Sequence, residues 1–224
     1  MRETFLYSKL KKIKASLLGV PKFYSHLRQA SANIDKPAPI YANSISNGLK
    51  VHLGAGPINI QGWLNIDARE APHIHIVTEV LELDEFSNGS ISEIYMCHVL
   101  EHFSLQEVDG LVAKFHEKLT KGGILRLSVP DFDKLVTVYQ AEENDLSTIK
   151  MALMGGQDYE FNFHKAVFNE KSLSDTLTSA GYGNIQLWET EEDFGIDLDD
   201  WSNKEFITAS GNFPISLNIK ATKV

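Results

Sequence analysis

Three stretches of this chain bring together residue types that do chemistry. The first is "VHLGAGP", Val51 to Pro57, an apolar run that ends in glycines. Without a Cβ, Gly54 and Gly56 let the backbone come close to a ligand. Asp67 follows thirteen residues after Gly54, at the end of the next apolar run, "WLNID". An acid at a second strand end can accept hydrogen bonds from both ribose hydroxyls of a nucleoside. The competing role for Asp67 is a helix cap or a turn.

The second stretch is "HVLEH", which puts His98, Glu101 and His102 within one turn. Two histidines four apart suit two ligands on one helix face. A metal needs a third ligand, and spacing alone does not make one of Glu101, so no metal is expected. Glu101 or His102 can instead lock a strand-to-helix turn, and His102 can equally touch a substrate. His98 ends a strand and is the stronger active-site candidate.

The third stretch, "GGQDYEFNFHKAVF", runs from Gly155 to Phe168 and holds His164 and Lys165. A glycine-hinged loop of this kind reads as a lid. The alternative is a surface loop tied down by Tyr159, Phe161 and Phe163. Asp131, after "SVP", either touches an acceptor or caps the helix "FDKLVTVYQ".

These residues need elements to place them. "LKVHLGAG", "WLNID", "HIHIV", "SEIYMCHVL" and "GILRLSVP" read as five strands. Between the last two, Ser104 and Glu107 make a capping box. The helix it opens carries Leu105, Val108, Leu111, Val112, Phe115 and Leu119 as its buried stripe and ends at Gly122 and Gly123. A second helix follows Asn169, with Leu173, Leu177 and Ala180 inward and Gly181 as its stop. "NIQLWET" and "ISLNIKATKV" read as closing strands. Strands alternating with helices imply a mostly parallel sheet covered on both faces, which binds ligands beyond the carboxyl ends of its strands.

Composition narrows the class. Of 224 residues, 43% are hydrophobic, enough for a core. The lone Cys97 rules out an internal disulfide framework and a cysteine-based zinc site. A net charge of -9 disfavours nucleic-acid binding. The charge is uneven: residues 1–28 carry +6 and the remainder -15. Leu6, Leu10, Ile13 and Leu17 recur at helical spacing among lysines, which describes a basic amphipathic helix. It packs on the domain or a second subunit, or lies on an anionic membrane surface. Residues 29–48 read as a linker, giving a boundary between 1–48 and a domain of 49–224. The lysines interrupt any apolar run, which argues against a signal peptide, and no stretch is apolar enough to span a bilayer. A cytoplasmic protein is expected, with peripheral contact to a membrane's inner face as the alternative.

A dinucleotide fingerprint would need a third glycine opening a helix, and that position holds Asn59. A cofactor without a phosphate fits better than NAD. "LGAGPINIQGWLNID", "HVLEHF", "LTKGGILRLSVPD" and "SLNIKATK" together resemble the S-adenosylmethionine-dependent methyltransferases of class I. The likeness is greatest to a bacterial branch linked with sugar and cell-surface polysaccharide biosynthesis. It covers roughly residues 49–224. It implies a Rossmann-like fold: a mostly parallel seven-stranded sheet with helices on both faces and an antiparallel last strand. It implies that Gly54, Ala55 and Gly56 pass the methionine part of S-adenosylmethionine and that Asp67 binds its ribose. Glu79 and Val80 would meet the adenine, Glu79 standing where Asp is usual. Cys97 and His98 would lie under the sulfonium. The glycine loop is shorter than in many class I enzymes. The acceptor would be a small molecule, a sugar or a lipid-linked glycan. If its reacting group is a hydroxyl, His98 is the first candidate base and His164 the second. A neutral amine would need none. The alternatives are an inactive nucleoside-binding module serving a partner protein, or an NAD-dependent reductase.

Overall fold

Each apolar run enters the sheet as a short strand and leaves it at a turn rich in glycine or polar residues. The computed structural model describes residues 48–78, 83–195 and 197–224. The expected helix within residues 1–28 lies outside them. The strands are β1 (Leu49–Leu53), β2 (Leu64–Asp67), β3 (Ile76–Val77), β4 (Ile91–Cys97), β5 (Leu119–Pro130), β6 (Tyr182–Leu187), β7 (Glu205–Thr208), β8 (Gly211–Pro214) and β9 (Ser216–Lys223). Seven of them form one sheet in the order β3-β2-β1-β4-β5-β9-β6. β9 runs antiparallel to both β5 and β6, and the other pairings are parallel. The expected mostly parallel sheet with an antiparallel last strand is therefore present.

Five α-helices connect the strands among the described residues: α1 (Leu105–Lys118), α2 (Phe132–Ala141), α3 (Lys150–Met154), α4 (Glu170–Ser179) and α5 (Thr190–Phe194). The Ser104–Glu107 capping box opens α1 as expected. A second box, Asn169 with Ser172, opens α4. Leu173 and Leu177 are fully buried, and Gly181 follows α4 in the left-handed region. None of the helices in the described residues is long and apolar enough to cross a membrane.

Two expectations need correction, and one element was not expected. Leu105 does not belong to the buried stripe; it is 63% exposed, and burial begins at Val108. Spacing sets a side chain's direction, but burial also needs an element opposite it. The helix stops at Lys118 instead of running to Gly122. β5 starts at once, and its pairing with β4 jumps from Ile91–Leu119 to Glu93–Ile124. Residues 120–123 are the bulge that absorbs this slip, with Gly122 at φ 77°. The sequence also gave no warning of the β7–β8 hairpin, which stands outside the main sheet.

Between β1 and β2 there is no helix. Residues 54–63 are turns held by Ile58 N–H to Ala55 O (2.9 Å) and Trp63 N–H to Ile60 O (3.2 Å). Ile60 and Trp63 anchor the segment in a cluster with Tyr95, Trp188 and Leu198. Apolar burial fixes this connection where backbone hydrogen bonding within a helix would otherwise do so. A chain of ion pairs straps the middle of the sheet together. Lys50 pairs with Glu93, Glu93 with Arg126, Arg126 with Asp193 and Asp193 with Lys220, joining β1, β4, β5, α5 and β9.

Candidate functional site

The strand order reverses between β1 and β4, and the cleft lies beyond their carboxyl ends, as this architecture requires. Two adjoining hollows of about 370 and 270 Å³ share Gly54, Arg69, His98, His102 and Tyr159.

On the β1 side, the two glycines do different work. Gly54 has φ 65°, and a Cβ there would sit 2.3 Å from Val99 Cγ2. Its conformation therefore lets the β1 turn nest on the loop after β4. Gly56 has φ 52° and open space around its Cα, so the turn leaves room on the cleft side. Asp67 Oδ2 accepts the Gly56 N–H at 2.8 Å, and Oδ1 accepts the Arg69 N–H at 2.8 Å. Asn59, at the third-glycine position, accepts from the Asn65 amide at 2.8 Å and so locks the turn. Ala55 is buried beneath it.

On the β4 side, His98 follows Cys97 with φ 52°, a left-handed conformation uncommon for a non-glycine residue. Its ring stacks on Trp201 at 5.8 Å. His98 Nε2 lies 2.8 Å from Ser216 Oγ, whose own hydroxyl donates to Trp201 O at 2.6 Å. Ser216 must therefore accept, and Nε2 carries the hydrogen. Nδ1 is left with a lone pair that faces Glu101 Oε1 at 3.6 Å. His164, from the expected lid, approaches the same oxygen through Nε2 at 3.9 Å. Its Nδ1 is 2.9 Å from Ala152 O, a pure acceptor, so Nδ1 carries that ring's hydrogen. His102 sits edge-on to His164 at 4.8 Å and points Nδ1–H at Phe163 O, 3.3 Å away. Both carboxylate oxygens of Glu101 are buried and make no hydrogen bond.

Burial, then the neighbouring His164 and His102, pushes His98 down to about 3. Burial and His102 push His164 down to about 4, and burial lowers His102. Burial pushes Glu101 up to about 8. A histidine whose conjugate acid titrates near 3 or 4 is a weak base at neutral pH. Burial, then Asp200, raises the Cys97 thiol, so it is no nucleophile.

The loop from Gly155 to Phe168 closes over this cluster. Gly155 turns at φ 76°, and a Cβ there would meet Asn162 O at 2.5 Å. Lys165 and Ala166 donate their N–H groups to Glu101 O at 2.8 and 3.1 Å. Tyr159, Phe161 and Phe163 do not anchor the loop; they are 40%, 44% and 41% exposed and line the cleft. The Arg69 guanidinium lies 5.3 Å from the Tyr159 ring, a bridge from the β2 side to the lid.

Gly54, Ala55, Gly56, Cys97, His98 and His164 all line the cleft, and Asp67 lines the second hollow. Asp131 lines neither. It caps α2 by accepting the Asp133 N–H at 3.1 Å, and burial raises its carboxyl. Glu79 and Val80 lie outside the described residues. Arg69, Tyr159, Asp200 and Trp201 were missed as cleft residues. Asp200 accepts the Tyr95 hydroxyl at 2.6 Å behind the cleft. The acidic run before Trp201 was the only sequence signal for that segment.

No protein-family model matches the chain, and no curated protein matches it. Among solved structures it resembles an S-adenosylmethionine-dependent methyltransferase from Archaeoglobus fulgidus. That likeness has a TM-score of 0.50 at 14% identity, over 82% of this chain and 90% of that one. The fold is that of the class I methyltransferases. A Burkholderia thailandensis 1,6-didemethyltoxoflavin-N1-methyltransferase, solved with S-adenosylhomocysteine, aligns with TM-score 0.48 at 15% identity over 92% of both chains. A Methanosarcina mazei methyltransferase aligns with TM-score 0.47 at 16% identity, over 84% of this chain and 99% of that one.

Proposed function

We propose that this chain is an S-adenosylmethionine-dependent methyltransferase acting on a small molecule. The observation that carries the reading is Asp67, held at the end of β2 against the glycine turn and facing the cleft. Its two oxygens offer about four acceptor sites; two backbone N–H groups use two of them, and the Arg69 Nε reaches Oδ1 at 3.5 Å. The capacity left on Oδ2, and on Oδ1 once the exposed Arg69 side chain turns aside, fits the ribose hydroxyls. The room around Gly56 fits the methionine part. When bound there, S-adenosylmethionine supplies a methyl group on a positively charged sulfur, an excellent leaving group. The protein's work is then to hold the acceptor in line and to exclude water. The lid, bridged by Arg69 and Tyr159, suits the second task.

No helix opens after the glycine turn, so there is no helix N-terminus to hold a pyrophosphate, which disfavours NAD. For the acceptor, a sugar or lipid-linked glycan fits the sequence resemblance. It also suits a cleft lined by the aromatic side chains of Tyr159, Phe161 and Trp201. In this reading the chain works in the cytoplasm, with residues 1–28 able to rest on an anionic membrane near such a substrate. A catalytically inactive binding module would share the cofactor site but show no turnover.

The test is calorimetric titration with S-adenosylmethionine, S-adenosylhomocysteine and NAD. Binding of the first two and not of NAD is expected. Asp67→Ala should weaken it by roughly 2–3 kcal/mol, more than tenfold. NAD binding alone, or unchanged affinity in the variant, would overturn the assignment.

A further inference from the structure

Glu101 is 1% exposed and has no hydrogen-bond donor on either oxygen. Leaving a buried carboxylate unpartnered is costly, because it has given up water for nothing. Its nearest polar neighbours make matters worse. The hydrogen on His98 is committed to Ser216, and that on His164 to Ala152 O. Two imidazole lone pairs therefore converge on a carboxylate, at 3.6 and 3.9 Å. Three acceptors meet with no donor among them. A proton on Glu101, which its burial favours, neutralises one member but leaves that group without a partner in hydrogen-bond reach; a metal cation satisfies all of them at once.

The distances fit an ion better. Two ligands each about 2.1 Å from a common metal stand some 3–4 Å apart. Ligand atoms of Glu101, His102 and His164 all lie within 4.8 Å of one another. The Nδ1 atoms of His164 and His102 are already held by Ala152 O and Phe163 O, the outer-shell support that ligating histidines show.

We propose that Glu101, His102 and His164 form a binding site for a divalent transition-metal ion, zinc or iron, open to the cleft through His102 and His164, with His98 Nδ1 facing the same carboxylate. Imidazoles with one carboxylate select such ions over magnesium or calcium, which prefer oxygen alone. The lid supplies His164, so the ion clamps it to the turn after β4.

This inference deepens the methyl-transfer reading and rests on it for one point, the acceptor. An ion there would take the acceptor oxygen as a further ligand and lower its pKa, so that the hydroxyl gives up its proton to cleft water as the oxygen takes the methyl group and the cofactor's sulfur leaves as a neutral thioether. The acceptor is then an oxygen donor, such as a hydroxyl, with the ion doing what these weakly basic histidines cannot.

The test uses the tag-free full chain, stripped of metal by a chelator and titrated calorimetrically with zinc chloride, then with cobalt chloride. One ion per chain is expected. Glu101→Gln and His164→Asn should each weaken binding by roughly tenfold or more. Glu101 is buried, and its variant can fail to fold; His164→Asn, on the lid and checked by circular dichroism, keeps the test decisive. No saturable binding of either ion, or undiminished binding in folded His164→Asn, overturns the site. A parallel titration of the metal-free chain with S-adenosylhomocysteine reads the cofactor site alone, so either proposal can fail without the other.

Discussion

A single glycine shows how closely this cleft is built. Gly54 reads as a ligand-facing residue, but its missing Cβ is needed first by Val99, which fills that space. The same contact binds the Asp67 side of the cleft to the His98 side. We expect Gly54→Ala to destabilise the fold by roughly 2–4 kcal/mol, from the left-handed backbone and the clash together. Urea unfolding would measure it, and a loss below about 1 kcal/mol would show that the β1 turn moves freely away from Val99. Glu101 makes the complementary case: its identity suggested a turn lock, and its main-chain carbonyl does hold Lys165 and Ala166. Its carboxylate, free of that duty, is what the histidines surround.

At the scale of elements, the Gly155–Phe168 loop is bound at one end and light at its tip. Its C-terminal end is fixed by hydrogen bonds to Glu101 O, while its aromatic tip is exposed and touches Arg69. A cation–π contact at an exposed site contributes about 0.5–1 kcal/mol. Tyr159→Ala should therefore speed amide exchange across residues 157–163 several-fold while leaving the global unfolding midpoint unchanged. Exchange that does not change would mean that the Gln157–Asn162 turn, with its 2.8 Å hydrogen bond, holds the tip unaided. The bulge at 120–123 shows a different economy. It lets β5 begin directly after α1 and still deliver Ser128 opposite Cys97 at the cleft end of the sheet.

For the whole molecule, buried neutral histidine sets a limit in acid. Burial drives His52 down to about 4, against the opposing hydrogen bond that its Nδ1–H donates to Asn65 Oδ1. Unfolded, it titrates near 6.5. Between these values the unfolded chain binds a proton that the fold does not, so acid favours unfolding. The contribution is complete above pH 6.5 and is lost as pH falls toward 4, about 3 kcal/mol in all. His98 and His164 act in the same sense. Thermal midpoints between pH 7 and 4 should fall less steeply in His52→Gln than in the parent chain, and equal slopes would show that His52 is not the titrating group. The same molecule carries a net charge of -9, so its affinity for nucleic acid should stay negligible across salt.

Local signals in the sequence determined what local physics controls. Ser104 with Glu107, Asn169 and Asp131 each announced a helix start, and each start is where the cap puts it. A cap acts on the N–H groups two or three residues on, so it is legible in a short window. The alternation of apolar runs with helices was enough for the sheet, and "VHLGAGP" with Asp67 was enough for the β1–β2 side of the cleft. Tertiary structure decided whatever joins distant segments. Leu105 had the right period and no neighbour. The Lys50–Glu93–Arg126–Asp193–Lys220 chain spans five elements and has no periodicity to betray it. His164 is the plainest instance. Spacing paired His98 with His102 and lacked a third ligand, because that ligand arrives from a loop sixty-two residues further along than His102, and only folding brings it within 3.9 Å of Glu101.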